Sequence, residues 1–529
     1  MASRSLGRLA VCFLAGVLVS ALGPSAFGSG EPQESFLYLN FVQASDVLDR
    51  AVAAHGGPEL LDRAVNIRFS ITGTYRLEGH FARPWAHRDY RMNAATFYSA
   101  DLQAVKSEVV FYEKDKPIQS FALIGSGNGL RLNGGASRPD SIPEKQLESA
   151  LREELEYLPH EYLRQARAEA AGLRLLSGSD DDEVLCYSLD NGEGRALFFD
   201  VNTHLLMRVE RIGHWKHKGD RLEWRSFTNY IDRNGIQVPL HSEVHIEDSS
   251  GQHDVVSEIT EIEFGAAMNA DEFTVPAASR AGFEGWTLQK PKADGSNALL
   301  PSYDLGKGVY VIGLPPSDAR SLLVAFSDFA VVVEAGDCSE TSSRLLATAD
   351  HLLPDKPVRY VAMSHHHPLY ANGIRPYVQR GITVLTTEGN VSYLRDLATR
   401  PYRIRPDAQQ RQPHEPKLEV IDGTRILKDR KQRLELYEFD YSTHVDEFVL
   451  AYLPSHKLIV TGDLVYVLRD HEPRPANSRE RAIHRVVQER KLDVQKVMQT
   501  WYLDRADHVV PYSAVEEMVR LAEAKDAKK

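Results

Sequence analysis

Between residues 66 and 264 apolar and polar positions alternate, and turn residues break the alternation at hairpin spacing. The segments "NIRFSITGTYRL", "SEVVFYEK", "EVLCYSLD", "RALFFDV", "HLLMRVERIGHW", "RLEWRSFTNYID", "IQVPLHSEVHIE" and "VVSEITEIEF" each read as a strand with one inward face. A helix is expected before them over Ala44 to Ala54, with Val47, Leu48, Ala51 and Val52 on one face and Gly56-Gly57 as its stop. A helical insert interrupts the strands at about Glu144 to Ala171. The run "SGSDDDE", Ser177 to Glu183, reads as a solvated turn between strands.

The periodicity fades from Ala267 to Gly306, in a stretch rich in Pro, Gly and Ser that reads as a linker. Beyond it the pattern changes. Continuous apolar runs such as "VYVIGL", "SLLVAF", "FAVVVEAG", "VRYVAMS" and "ITVLTT" suit strands buried on both faces. Helical patterns separate them near Thr341 to Leu353 and after Gly373. "LELYEFD", "FVLAYLP" and "KLIVTGD" follow, then a helical C-terminus. The expected class is α+β with two domains: an antiparallel, curved, β-rich unit with helices over 40–276, a linker over 277–305, and a layered α/β unit over 306–529. A chain of 529 residues is long for a single core, which agrees with that division.

Composition narrows the class of partner. With 43% hydrophobic, 26% charged and 9% aromatic residues the chain is an ordinary globular one. A net charge of -12 supplies no basic stripe for phosphates, so nucleic acid is not an expected partner. Arg4 and Arg8 precede an apolar stretch from Leu9 to Leu22, which Pro24 and small residues such as Ala26 and Gly28 end. That is the pattern of a secretory signal peptide over 1–30; the stretch is short for a membrane span, and a periplasmic or secreted mature chain is expected. Only Cys186 and Cys338 would remain after cleavage, too few for a disulfide framework.

The chemistry concentrates in two places. "YVAMSHHHPLY" puts His365 and His367 just past an apolar strand, and residues two apart at a strand end point to the same side. Imidazole is a common zinc ligand, but a catalytic zinc site commonly takes three protein ligands. Farther on, "STHVDEFVLAYLPSHKLIVTGDLVY" sets His444 before one strand and Asp463 at the end of the next.

In this order the chain resembles the metallo-β-lactamase superfamily. Its motifs run Asp-x-Gly, His-x-His-x-Asp-His, a lone His, Gly-Asp and a final His. Glu334-Ala-Gly336 stands at the first motif, His365 and His367 at the first two histidines, His444 at the lone one and Asp463 at the Gly-Asp carboxylate. The likeness runs from about Leu305 to Ala524 and implies an αββα sandwich. Leu369 stands where the family has its Asp, Tyr370 where the next His would be, and Ser513, in "DHVVPYSA", where the final His would be. The resemblance therefore implies one surviving ligand set, His365, His367, His444 and Asp463, and loss of every private ligand of a second metal. Zinc, one per chain, suits three imidazoles and a carboxylate.

With such an ion Asp463 would orient the attacking water, and Tyr370 would either donate to an oxyanion or pack as an ordinary core residue. Asp446 and Glu447, close to His444, are read as substitute ligands, as groups that support the ligands from outside, or as solvated acids. His366, His214 and His217 are read as non-ligands. The N-terminal unit, through "FDVNTHLLMRVER", "FTNYIDRNGIQVPLHSEV" and "NADEFTVP", resembles periplasmic lipoprotein-carrier proteins, which implies a concave apolar face. Two functions follow. One is an exported metal-dependent hydrolase acting on an ester, amide or related bond of a small or lipid-like molecule. The other is an inactive accessory protein that binds an apolar ligand.

Overall fold

The computed structural model describes residues 35–63, 66–78, 80–102, 104–126, 130–133, 139–141, 154–176, 182–189, 192–246, 254–273, 299–315, 319–468, 473–501 and 507–528. The signal segment, residues 277–298 of the expected linker and the insert before residue 154 lie outside them. Among the described residues no helix is long and apolar enough to cross a membrane.

The alternating segments form one antiparallel sheet, thirteen-stranded among the described residues. Its chain path explains the pairing. The strand β1 (Asn66–Glu78) starts in the middle, and successive hairpins, beginning with β2 (His87–Ser99), lead to one edge. The chain then crosses to the far edge and returns strand by strand until Val255–Phe264 pairs with β1. The helix Phe36–Ala54 begins ahead of the expected Ala44, and its buried face is the predicted one: Ala44, Val47, Leu48, Ala51 and Val52. It packs with Pro159–Ala168 over Leu185, Leu197, Phe199 and Phe227.

The C-terminal half stacks helix, sheet, sheet and helix. A seven-stranded sheet begins at Ser302–Gly306, inside the stretch expected to be linker, and its later strands, from Ala330–Val333 onward, pair in parallel. A six-stranded sheet faces it, and Val311, Leu322, Val331 and Leu385 from the first meet Leu436, Val449, Ala451 and Val460 from the second. The helix Ser339–Leu352 covers the outer face of the first sheet through Leu345, Leu346 and Ala349, as Ser478–Glu489 covers the second through Ile483, Val486 and Val487. Strands such as Ala330–Val333 are buried throughout because layers cover both faces, which explains their unbroken apolar runs.

The sheet of the first half docks on this stack by two of its turns. The tip joining Leu206–Trp215 to Gly219–Arg233 lies on Pro401 and Tyr402, where Asp220 N donates to Pro401 O at 2.9 Å and the Asp220 carboxylate accepts from Arg403 N and Ile404 N. Gly219 has φ +87, and a Cβ there would stand 2.4 Å from Pro401 O, so no larger residue fits that approach. The β1–β2 loop makes the second contact, beside the histidines.

Candidate metal centre

His365 and His367 leave the C-terminal end of the strand Val358–Ala362, His444 precedes Phe448–Leu453, and Asp463 follows Leu458–Val460. The two sheets thus deliver their donors to one edge. Gly462, at φ +51, permits it: a Cβ would meet Ser364 Oγ at 2.7 Å and the Phe448 ring at 2.9 Å. Asp463 Oδ1 lies 3.4 Å from His365 Nε2, and Asp463 Oδ2 lies 2.9 Å from His444 Nε2 and 3.9 Å from His367 Nδ1. One donor atom from each of the four residues falls within 4.8 Å of all the others. A tetrahedral ion with bonds of about 2.0 to 2.1 Å spaces its ligand atoms about 3.4 Å apart, so the set fits one cation.

Hydrogen bonds outside the cluster select which nitrogen points in. His367 Nε2 meets the carbonyl of Phe81, in the β1–β2 loop, at 3.3 Å. A carbonyl only accepts, so Nε2 carries the proton and Nδ1 is left with a free lone pair. His365 Nδ1 pairs with Ser364 Oγ at 2.9 Å, which leaves Nε2 inward. His365 Nε2, His444 Nε2 and Asp463 Oδ1 are buried without a hydrogen-bond partner, and the 2.9 Å His444–Asp463 approach lacks hydrogen-bond alignment. Buried polar atoms are nearly always satisfied, so orphans converging on one point fit a site that could hold a cation.

The electrostatics agree. Burial, reinforced by the neighbouring imidazoles, pushes His365 well below the usual histidine range, and burial lowers His444 despite Asp463 beside it. Burial opposes ionisation of Asp463, yet the surrounding imidazoles outweigh it and hold the carboxyl well below its ordinary value. Burial thus keeps His365 and His444 as neutral donors beside an ionised carboxylate, whose Oδ2 also lies 3.9 Å from Arg479 Nη1. Glu334, behind Ser364 N at 3.1 Å, is pushed up to about 8 by burial, with Asp463 adding to the shift, and so stays protonated at neutral pH. It holds φ +74, an unusual backbone for a non-glycine residue.

The other expected residues divide. Tyr370 is buried with its ring centroid 4.7 Å from that of His365; its hydroxyl lies 3.4 Å from Thr500 Oγ1, which also donates to Gly462 O. Leu369 lines a cavity beside the cluster. Ser513 is exposed, at the first turn of the helix Ser513–Asp526. Asp446 and Glu447 are neither ligands nor freely solvated: Asp446 pairs with Arg83 and donates its N–H to Ala82 O, and Glu447 accepts from Gly389 N at 2.8 Å. His366 stands outside the four-donor group. His217 Nδ1 meets Asp337 O at 2.8 Å, and the His214 ring packs edge-on to Tyr402 at 5.1 Å, so both tie the N-terminal sheet to the C-terminal stack.

Sequence reading passes over the β1–β2 loop, although His80, Phe81 and Arg83 all reach the centre's rim. The His80 ring lies 5.2 Å from that of His367. The signal available was local: "EGHFARPWAH" interrupts two strands with aromatic and cationic residues where a tight turn would suffice.

No protein-family model matches this chain, and no curated protein does. Solved structures similar to it include a metallo-β-lactamase from Pontibacter korlensis, 20% identical with TM-score 0.32 over 42% of this chain and 99% of the other. A metallo-β-lactamase from Pseudomonas aeruginosa in a mono-zinc form is 14% identical, TM-score 0.32, over 44% and 98%. One from Hirschia baltica is 14% identical, TM-score 0.30, over 42% and 98%. Similarity at this level says nothing of chemistry, and the case for a metal ion rests on the four converging donors.

Proposed function

We propose that the chain is an exported metallohydrolase that holds one zinc ion on His365, His367, His444 and Asp463 and cleaves an ester, amide or related bond. The observation that carries this reading is the convergence of four buried donor atoms, three of them without a hydrogen-bond partner. Three imidazoles and a carboxylate suit zinc, a borderline cation that takes nitrogen and oxygen donors. Among the described residues this is the one such group close enough to share an ion, which supports a single metal. A bound zinc supplies Lewis acidity to the scissile carbonyl and to the attacking water.

The chain's own groups do the rest. Asp463 would orient the attacking water, the Phe81 carbonyl and Ser364 hydroxyl fix the imidazoles, and Glu334 buttresses the Ser364 backbone. Plasma-emission analysis of purified protein should find about one zinc per chain, and much less in the His365→Ala/His444→Ala double variant. Stoichiometry near two, or unchanged content in that variant, overturns the mononuclear site. Asp463→Ala should abolish turnover while leaving the fold intact. If the zinc-loaded wild type turns over no ester, lactam, thioester or phosphodiester, the hydrolase reading gives way to the accessory-protein one. A native N-terminus at Met1, instead of near Ser29 to Glu31, refutes export through a cleaved signal.

A further inference from the structure

A cavity of about 690 Å³ lies between the N-terminal sheet and the C-terminal stack. Pro368 and Leu369, the two residues after His367, form part of its wall, as does His80, whose ring packs on His367. Its volume is that of a pocket for a small organic molecule. The opposite wall is unusual. Arg221, Glu223, Arg225 and Phe227 alternate along Gly219–Arg233 and therefore share one face. Phe227 is buried beneath the helices, so the three charged residues continue the inward face, where apolar residues belong.

The acids on that wall are already engaged. Glu223 lies 2.8 Å from Arg211 and 2.7 Å from Arg221. Burial opposes its charge, yet the two guanidinium groups outweigh that and keep its carboxyl below the ordinary range. Glu156 is held by Arg195 at 3.1 Å. In all, five cationic side chains and three carboxylates line the cavity.

Among the described residues Arg225 forms no ion pair of its own: Glu156 and Glu223, already held by other guanidinium groups, act on it only from farther off. Its cross-strand neighbours on this face are Val209 and Val244, and beyond Val244 comes Val255. Its nearest polar partner is Ser242 Oγ at 3.5 Å, its guanidinium lies 4.6 Å from the Tyr157 ring centroid, and its Nε is buried with no partner. A cation set among valines at the floor of a cavity is expensive unless an anion joins it.

We propose that this chamber takes the body of the substrate, and that Arg225, with Arg221 two residues away, binds an oxyanionic group of that substrate remote from the scissile bond. The guanidinium fork matches a carboxylate or a phosphate, and Trp215, Val244, Ile246 and Leu369 offer the molecule's carbon skeleton an apolar wall. The substrate class is therefore an amphiphilic organic anion. This assignment rests on the metallohydrolase reading for its bond-breaking step, though not for its binding step.

Calorimetry on the full-length mature protein separates the two. 4-Phenylbutyrate and 3-phenylpropyl phosphate should each bind at least about tenfold more tightly than 4-phenylbutanol, the worth of a charge-assisted contact. Arg225→Met should erase that preference while keeping 4-phenylbutanol binding, which also reports that the chamber is folded; Arg225→Lys should keep part of it. Zinc-loaded Asp463→Ala should retain the preference. A preference for only one of the two anions narrows the class to that oxyanion. If neither anion outbinds the alcohol, if Arg225→Met leaves the preference intact, or if zinc-loaded Asp463→Ala abolishes it, the assignment is overturned. Intact preference with no turnover by the wild type counts against the hydrolase alone.

Discussion

The Tyr370 hydroxyl is held by one long contact. Thr500 Oγ1 donates to the Gly462 carbonyl and lies 3.4 Å from the Tyr370 hydroxyl, which accepts at most a second, weaker share of the same proton. Burial raises the phenol well above its ordinary range, so it does not ionise. Tyr370→Phe should thus match the wild type in metal content and lose no more than about threefold of any turnover; a loss of about 100- to 1,000-fold would reinstate an oxyanion donor. A second prediction concerns His55 and His160, whose rings lie 6.2 Å apart under the N-terminal sheet. Burial lowers them to about 4 and about 3, respectively, from 6.5. An imidazole with a depressed folded pKa binds fewer protons folded than unfolded, so its contribution is complete above pH 6.5 and is lost as pH falls toward the folded value. Thermal unfolding of the N-terminal sheet should be flat from pH 7 to 8 and fall by about 2 kcal/mol per imidazole between pH 6.5 and 5. His160→Phe should shallow that slope, and a slope unchanged by the variant would show that other groups control it. At this scale much of the centre was legible: His365, His367, His444 and Asp463 stand in the sequence at strand ends, where residue type and order are visible. The Phe81 carbonyl was not, because a backbone atom has no residue type to read.

Whole elements follow the same division. The segment "VVSEITEIEF" became the strand Val255–Phe264, and "FAVVVEAG" contains the strand Ala330–Val333, because alternation and unbroken apolar runs record how many faces are covered. His87–Ser99 escaped notice, since its buried positions are irregularly spaced along "HRDYRMNAATFYS" and no clean alternation results. Val391–Thr399 was also missed; its apolar face, Tyr393, Leu394 and Leu397, is only a few residues long. Arg221, Glu223 and Arg225 mislead in the opposite sense, because charge at alternate positions normally marks the solvent side. The hairpin tip carries a prediction that belongs to the element. Gly219→Val should push the tip off Pro401 and release Arg403 N and Ile404 N from Asp220. Their amide hydrogen exchange should quicken about tenfold or more, with the seven-stranded sheet unaffected. Unchanged exchange at both amides would mean that the docking survives without this contact.

For the whole molecule, the two halves are joined covalently by a Pro-, Gly- and Ser-rich stretch and non-covalently by two loops. Limited proteolysis should cut first within 277–298, since Pro-, Gly- and Ser-rich stretches between units are common nicking sites. The fragments should remain together on gel filtration, held at Asp220 and at Asp446; fragments that separate, or a first cut elsewhere, would count against this division. The net charge of -12 falls on the first half of the chain, so the cationic wall that the same half gives the chamber is a local exception that the total conceals. The Phe81 carbonyl on His367 has a consequence for the assembled chain. Because that bond selects the tautomer whose Nδ1 faces the donors, ion binding and loop docking share a free energy, and thermodynamic reciprocity makes the influence mutual. Whatever factor the docked loop adds to the affinity for a metal ion at the four donors, that ion would return to the docking equilibrium. A chelator should therefore loosen the grip of one half of the protein on the other, and a ligand that wedges the halves apart should make the ion easier to remove.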